Sequence, residues 1–306
     1  MRKNRCSNAA AGLIAGALPF LAGCSHIPLL DPKGPIGDAE RFVILVAIGL
    51  MLIVVVPVAI MTIAFPWRFR AANPRADYRP QWSRSRSIEL VVWLVPAAIV
   101  TLLSILVWTS THRLDPYKPI TVDGAEPLQV QVVSLDWKWL FIYPDQNIAT
   151  VNQLVFPAGV PLSFRLTSGT VMTSFFIPRL GSQIYAMAGM QTRLHLMADE
   201  PGTFRGQNQQ FSGRGYAGMT FTATATSPEA FTAWVDKVRQ SAEGLDPERY
   251  ARLETPGEEP AAVHFSSVAP GLFESILHKY DPTHPIAGAA MAAVAGQRPT
   301  AAAERN

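Results

Sequence analysis

Two long apolar runs dominate the first third of the chain. The first, Phe42 to Phe65, has 24 residues without a charge, and the second, Leu90 to Thr111, has 22. At 1.5 Å per residue, the first run extends about 36 Å as a helix, which is enough to cross a hydrocarbon core of ~30 Å. Pro57 and Pro96 lie inside the runs, where a membrane bundle tolerates proline because neighbouring groups satisfy the freed carbonyl. The pattern predicts two kinked transmembrane helices that form a hairpin over residues 42–112.

After Arg113 the chain changes to short segments of alternating polarity. Such segments, spaced by about ten residues and separated by turn sequences, are typical of an antiparallel β-sandwich or a small barrel. Turn sequences occur at 144–147, 157–159 and 199–202. We predict a β-domain over residues 121–226, with strands at 127–134, 137–143, 151–156, 162–168, 193–197 and 219–225.

The C-terminal residues divide into a helical part and a tail. An extension over residues 227–285 begins with a predicted amphipathic helix at 228–243. The apolar face of this helix contains Phe231, Trp234, Val235 and Val238. Residues 286–306 are rich in alanine and show no periodic pattern, so we predict a disordered tail there.

The N-terminus has the organisation of a secretory signal. A positively charged start precedes an apolar run from Ala9 to Phe20, which predicts a signal peptide over residues 1–23. The tetrapeptide Leu-Ala-Gly-Cys at its end resembles the lipobox of bacterial lipoproteins, and this resemblance implies lipidation of Cys24 after cleavage. The two cysteines of the chain are Cys6 and Cys24, so a disulfide scaffold and a cysteine-rich zinc site are excluded.

Composition and charge agree with a membrane protein and give its orientation. Of 306 residues, 49% are apolar and 16% are charged, against ~25% charged in soluble proteins. The formal net charge is +3, and loss of the signal leaves 23 basic and 23 acidic residues, which excludes a nucleic-acid-binding surface. The positive-inside rule places the arginine-rich loop in the cytoplasm. Residues 24–41 and the β-domain are then periplasmic, on a bacterial inner membrane. The loop sequence between the spans contains one acidic residue, Asp77, and six arginines: Arg68, Arg70, Arg75, Arg79, Arg84 and Arg86.

Three blocks in the β-domain carry a recognisable pattern: Asp136–Trp139, Val171–Pro178 and Gly206–Met219. With the two preceding spans, they resemble subunit II of the haem-copper terminal oxidases, and the resemblance covers nearly the whole chain in the same order. It implies an all-β, cupredoxin-like Greek-key sandwich after a membrane hairpin. In the members that oxidise cytochrome c, the second and third blocks hold a dinuclear copper site.

The copper-ligand positions of that family hold other residues here. The family's two histidines, two cysteines, glutamate and methionine fall on Thr173 and Tyr216, Asn208 and Ser212, Gln210, and Met219. Only the methionine is retained. Two bridging thiolates stabilise the mixed-valence copper pair, and no cysteine follows Cys24. We therefore expect these positions to bind no metal.

The family has a branch without this copper site, the quinol oxidases of cytochrome bo type, and residues 174–187 closely resemble that branch. The resemblance implies subunit II of a proton-pumping complex that oxidises ubiquinol and reduces oxygen to water. It further implies that the haems and the remaining copper belong to subunit I and that this chain binds no cofactor. The implied partners are subunits I, III and IV, ubiquinol bound by the complex, and membrane lipid, but not cytochrome c.

Glu89 is an acidic residue at the cytoplasmic start of the second span. One interpretation is an interfacial carboxylate paired with Arg84 or Arg86, since an ionisable group costs less there than at the bilayer centre. The second comes from the resemblance, because a glutamate at the matching position of the family helps protons to enter subunit I. The sequence leaves both interpretations open, with Glu89 as the first functional candidate.

Two other groups of residues have ordinary structural explanations. Alternating aromatic side chains on a strand usually pack a sandwich core, and we expect this of Trp137, Trp139, Phe141 and Tyr143. One histidine among scattered methionines is ordinarily core filling rather than a copper-handling site, and this applies to His195, Met187, Met190 and Met197. No spacing typical of a metal site connects His264, His278 and His284.

Two alternatives to the quinol-oxidase branch stay open at this point. A cytochrome c oxidase subunit with intact copper disagrees with Asn208, Ser212 and Tyr216. A free-standing membrane lipoprotein with a cupredoxin-like binding or copper-delivery module is the other alternative. Copurification with a multi-span haem subunit separates it from the oxidase.

Overall fold

The structure is a computed structural model that describes residues 27–280 except 77, 78, 80, 123 and 258–260. Predictions for the signal peptide, Cys24, His284 and the tail from residue 286 fall outside the described residues. The chain divides into two compact units, one of Ala39–Asp115 and one of the remaining residues on both sides of it.

Two long helices form where the apolar runs predict them. Helix α1 extends over Pro35–Arg68 and helix α2 over Arg86–Arg113. Helix α1 continues through Pro57 and Pro66, and helix α2 continues through Pro96. Both are long and apolar enough to cross a membrane. Their apolar side chains point outward on all sides, with Trp93 77% exposed, as expected of helices whose surroundings are not water.

The β-domain is a sandwich of two sheets. The strands are β1 (Leu128–Leu135), β2 (Lys138–Tyr143), β3 (Ile148–Val151), β4 (Gln153–Pro157), β5 (Leu162–Ser168), β6 (Thr173–Phe176), β7 (Ile184–Ala186), β8 (Thr192–Leu196), β9 (Gly202–Asn208), β10 (Thr220–Thr226) and β11 (Val263–Phe265). The first sheet has the order β11-β3-β2-β1-β5-β8, and the second has the order β4-β10-β9-β6-β7.

The strand pairing differs from the antiparallel prediction at two places. Strands β1 and β5 are parallel neighbours, and so are β4 and β10. Moreover, the predicted strand 151–156 belongs to both sheets, because the chain crosses between them at Asn152. This residue has a left-handed backbone with φ of 56°, which asparagine tolerates better than most residues. Its side-chain oxygen accepts a 2.8 Å hydrogen bond from the Trp139 N–H, which fixes the crossing.

Strand β2, near the middle of the first sheet, is buried on both faces. All six of its residues are buried. Trp139, Phe141 and Tyr143 belong to the core between the sheets, whereas Leu140 and Ile142 belong to a second core beneath the C-terminal segment. The core interpretation of these three aromatic residues is confirmed.

The C-terminal segment completes the sandwich. It contains α3 (Pro228–Arg239), α4 (Pro247–Glu254) and α5 (Leu272–Leu277), together with strand β11 at the edge of the first sheet. Helix α3 begins at the Ser227 cap and ends four residues before the predicted boundary. Its predicted apolar face packs on the core, with Trp234 partly buried beside three buried residues: Phe231, Val235 and Val238.

Candidate functional site

Four of the six copper-ligand positions, three altered and one retained, lie together at the ends of β9 and β10. Asn208 ends β9, Met219 precedes β10, and Gln210 and Ser212 lie in the loop between the two strands. Thr173 on β6 is turned to another partner, because its hydroxyl donates to Ser134 Oγ at 2.6 Å. The ring of Tyr216 contacts Phe211, with centroids 5.8 Å apart.

The side-chain amide of Asn208 organises this loop. Its Oδ1 accepts from the backbone N–H groups of Ser174 and Gln210, both at 2.9 Å. Its Nδ2 donates to the Gln210 carbonyl at 2.8 Å and to Ser212 Oγ at 3.0 Å, and lies 3.4 Å from Met219 Sδ. Asn208 is only 5% exposed. A neutral amide with all its hydrogen-bonding groups engaged therefore occupies the position of the first cysteine.

Trp137 packs on the same loop, which the sequence did not predict. Residues 136 and 137 form a two-residue turn between β1 and β2, since Leu135 pairs with Lys138. Trp137 has φ of 66°, where a bulky residue is strained. Its indole N–H donates to the Ser212 carbonyl at 3.0 Å, and a Cβ on Gly215 would lie 2.3 Å from the ring. The sequence signal was a two-residue turn without glycine between two strands.

The buried aromatic residues beneath the loop pack as a core. The rings of Phe175 and Phe221 stack at 5.0 Å, and Trp139 meets both edge-on at 5.3 and 5.7 Å. The Tyr143 hydroxyl donates to the Val155 carbonyl at 2.9 Å, and burial raises the pKa of this tyrosine. These contacts explain the residues by packing alone.

Two histidines of the sandwich and its C-terminal segment have hydrogen-bond partners of their own. His195 Nδ1 donates to the Pro116 carbonyl at 3.0 Å, while its Nε2 lies 3.4 Å from Ser163 Oγ. His264 Nε2 lies 2.6 Å from Gln153 Oε1, and burial lowers its pKa. Among the described residues, no three histidine, cysteine or acidic side chains lie close enough to share a metal ion. Neither histidine thus supports the copper-handling alternative.

A cluster of charged and phenolic groups joins the C-terminal segment to the loop before β6. Lys279 Nζ lies 2.6 Å from Glu254 Oε1, which also accepts from the Tyr250 hydroxyl at 3.2 Å. Burial and the Glu254 carboxylate raise the pKa of Tyr250. The Tyr280 hydroxyl donates to the Gly169 carbonyl at 2.8 Å. This polar cluster fixes the loop that leads into Thr173.

Glu89 lies in the first turn of α2. Its Oε1 lies 3.3 Å from Arg84 Nε, and the two side chains are 46% and 73% exposed. The ion pair of the first interpretation forms with Arg84, and such an exposed pair adds little stability.

Comparison with known proteins places this architecture in a family. Residues 145–226 match the family model "Cytochrome C oxidase subunit II, periplasmic domain", and residues 239–283 match "COX Aromatic Rich Motif". A crystal structure of the periplasmic domain of subunit II of cytochrome oxidase from Bradyrhizobium japonicum covers 38% of this chain and 96% of its own, at 22% identity and a TM-score of 0.36.

Two relatives match most of this chain at higher sequence identity. The cytochrome bo(3) ubiquinol oxidase subunit 2 of Pseudomonas putida is 51% identical over 89% of this chain and 90% of its own length. The ubiquinol oxidase subunit 2 of Acetobacter aceti is 49% identical over 88% of this chain and 87% of its own. The chain therefore belongs to the family of subunit II of the bo3-type ubiquinol oxidases of the respiratory chain.

Proposed function

We propose that this chain has no redox centre of its own. It serves the oxidase as a structural subunit that packs beside subunit I and helps protons to enter subunit I. The observation that carries the proposal is the Asn208 amide, whose hydrogen bonds join the strands and loop that carry cysteine ligands in copper-bearing relatives. Amide, hydroxyl and phenol groups do not replace two bridging thiolates as ligands of a mixed-valence copper pair. The haems and the remaining copper then belong to subunit I.

Metal analysis of the purified complex and of this chain expressed alone tests that part. We expect no stoichiometric copper on the separate chain in detergent, even after incubation with copper salts. Two copper ions per chain with a mixed-valence electron paramagnetic resonance signal would refute it. The partners proposed are subunits I, III and IV, with ubiquinol bound by the complex and no cytochrome c. Copurification of the tagged chain with a multi-span haem subunit checks them.

Glu89 is proposed as the proton-entry residue of this chain. Its position in the first turn of α2 and its partial exposure leave the carboxylate accessible to water, and Arg84 is its ion-pair partner. We expect Glu89→Gln to lower the turnover and proton uptake of the assembled oxidase. Arg84→Gln is the matched control, because it removes the ion pair and keeps the carboxylate.

The pair of variants separates the two interpretations of Glu89. If the carboxylate serves only as an ion-pair partner, Glu89→Gln and Arg84→Gln lower turnover equally or not at all. If it takes up protons, only Glu89→Gln causes a large loss. Unchanged turnover and proton uptake in Glu89→Gln would contradict the proposal.

The chain is further proposed to be a lipid-anchored protein of the bacterial inner membrane. Supporting observations are the signal-like residues 1–23, the two apolar helices and the arginine-rich loop between them. In this topology residues 24–41, the β-domain at 121–226, the extension at 227–285 and the tail at 286–306 are periplasmic. Mass spectrometry of the mature chain tests the anchor, with an acylated Cys24 at the N-terminus as the expected result. An unprocessed Met1 start would refute it.

A further inference from the structure

The residues that lead into α1 lie along one edge of the sandwich. The Lys33 N–H donates to the Arg179 carbonyl at 2.7 Å, and the Lys33 carbonyl accepts from the Asp199 N–H at 3.0 Å. The Gly37 N–H, in the first turn of α1, donates to the Leu180 carbonyl at 3.1 Å. We call residues 31–37 the strap. Its main chain is bonded to two loops that are separate in sequence, one after β6 and one after β8.

Two glycines permit this close approach. Gly34 and Gly37 are both buried. A Cβ on Gly34 would lie 2.0 Å from the Met197 carbonyl oxygen, and one on Gly37 would lie 3.2 Å from the Arg179 carbonyl oxygen. Gly49, further along α1, has nothing within 4 Å of such a Cβ. The strap therefore requires glycine at position 34 and is tightly packed at position 37, whereas Gly49 is under no such constraint.

Charged side chains reinforce the main-chain contacts. Asp31 Oδ2 lies 3.0 Å from the Arg179 guanidinium, and Asp31 Oδ1 lies 3.3 Å from Lys33 Nζ. The segment that follows α2 is bonded to β8 itself, since His195 on that strand donates to the Pro116 carbonyl. Both segments that connect the sandwich to the membrane helices are thus bonded to β8 or to the turn that follows it.

We propose that the strap is a clamp that holds the segment entering α1 on the sandwich. A connecting segment that makes no contacts moves freely by default, and the main-chain hydrogen bonds made by both the N–H and the carbonyl of Lys33 oppose such motion of the strap. With its hydrogen bonds to the loop after β6, the clamp also ties the entry of α1 to the segment that follows Thr173–Phe176.

Trypsin provides the test, because the Lys33–Gly34 peptide bond lies inside the strap. Membranes containing the assembled oxidase are digested from the periplasmic side, and the fragment that begins at Gly34 is quantified by mass spectrometry. The native strap resists cleavage. Gly34→Ala undocks it, and loss of three main-chain hydrogen bonds raises the cleavage rate at least about tenfold. Gly49→Ala is the matched control and retains the wild-type rate.

A second variant covers the case in which Gly34→Ala prevents assembly. Arg179→Gln removes the ion pair to Asp31 but keeps the Arg179 carbonyl, so cleavage after Lys33 accelerates by a smaller factor. Hydrogen exchange of the Lys33, Gly37 and Asp199 amides accelerates in parallel. The proposal is overturned if the wild-type chain is cut after Lys33 as fast as the variants, or if both variants keep wild-type cleavage and exchange.

Discussion

Replacement of Asn208 by alanine is the most direct test of the idea that its side-chain amide holds the loop between β9 and β10 together. The change removes the acceptor of the Ser174 and Gln210 N–H groups and the donor to Ser212 Oγ. Ser174 is fully buried, so its N–H loses its partner without access to water. Gln210 is half-buried, so water compensates part of its loss.

The magnitude follows from these two amides. An unsatisfied buried donor costs about 1–3 kcal/mol. With partial compensation at Gln210, we expect Asn208→Ala to lower the free energy of unfolding by about 2–4 kcal/mol. At roughly 2–4 °C per kcal/mol for a domain of this size, the Tm falls by about 4–16 °C.

Thermal unfolding of the detergent-purified chain, followed by tryptophan fluorescence, measures this shift, because Trp137 and Trp139 lie next to the loop. Gln209→Ala is the control, since Gln209 is an exposed neighbour on the same loop. Ser212→Ala removes one partner only and lowers the Tm by less. If Asn208→Ala shifts the Tm no more than Gln209→Ala does, the amide does not organise the loop.

Two further predictions concern the Trp137 contact and the strap. In Gly215→Ala the new Cβ meets the Trp137 ring at 2.3 Å, so the indole moves away and becomes more exposed, which a red-shifted fluorescence spectrum detects and an unchanged spectrum contradicts. Partial desolvation and the nearby Asp38 and Glu200 carboxylates raise the pKa of Asp199, so the folded state favours the protonated carboxyl. The free energy of unfolding is therefore higher below the unfolded pKa of this group, and this difference is lost as pH rises through the folded pKa. Asp199→Asn is therefore more stable than the wild type at pH 7, and denaturation curves show this gain disappearing in acid; a gain that does not depend on pH refutes the assignment.

Several features of the fold followed from the sequence because local pattern dictates them. Uncharged runs of 24 and 22 residues predicted α1 and α2, and the boundaries of β5 agree with the prediction. The sequence pattern did not predict every strand. The short strands β7 and β11 have three residues each, too few for a periodic pattern, and their pairing depends on partners far away in the chain.

By itself, the sequence determined which chemical groups are available: two apolar spans, no thiolate after Cys24, and five altered copper-ligand positions, because these depend on residue identity. The tertiary structure decided how the remaining groups are used. The crossing at Asn152, the bonds of Asn208 to Ser174 and the docking of Lys33 between two distant loops all join residues brought together only by the packed sheets. No local pattern encodes such contacts, since each depends on the folded positions of both partners.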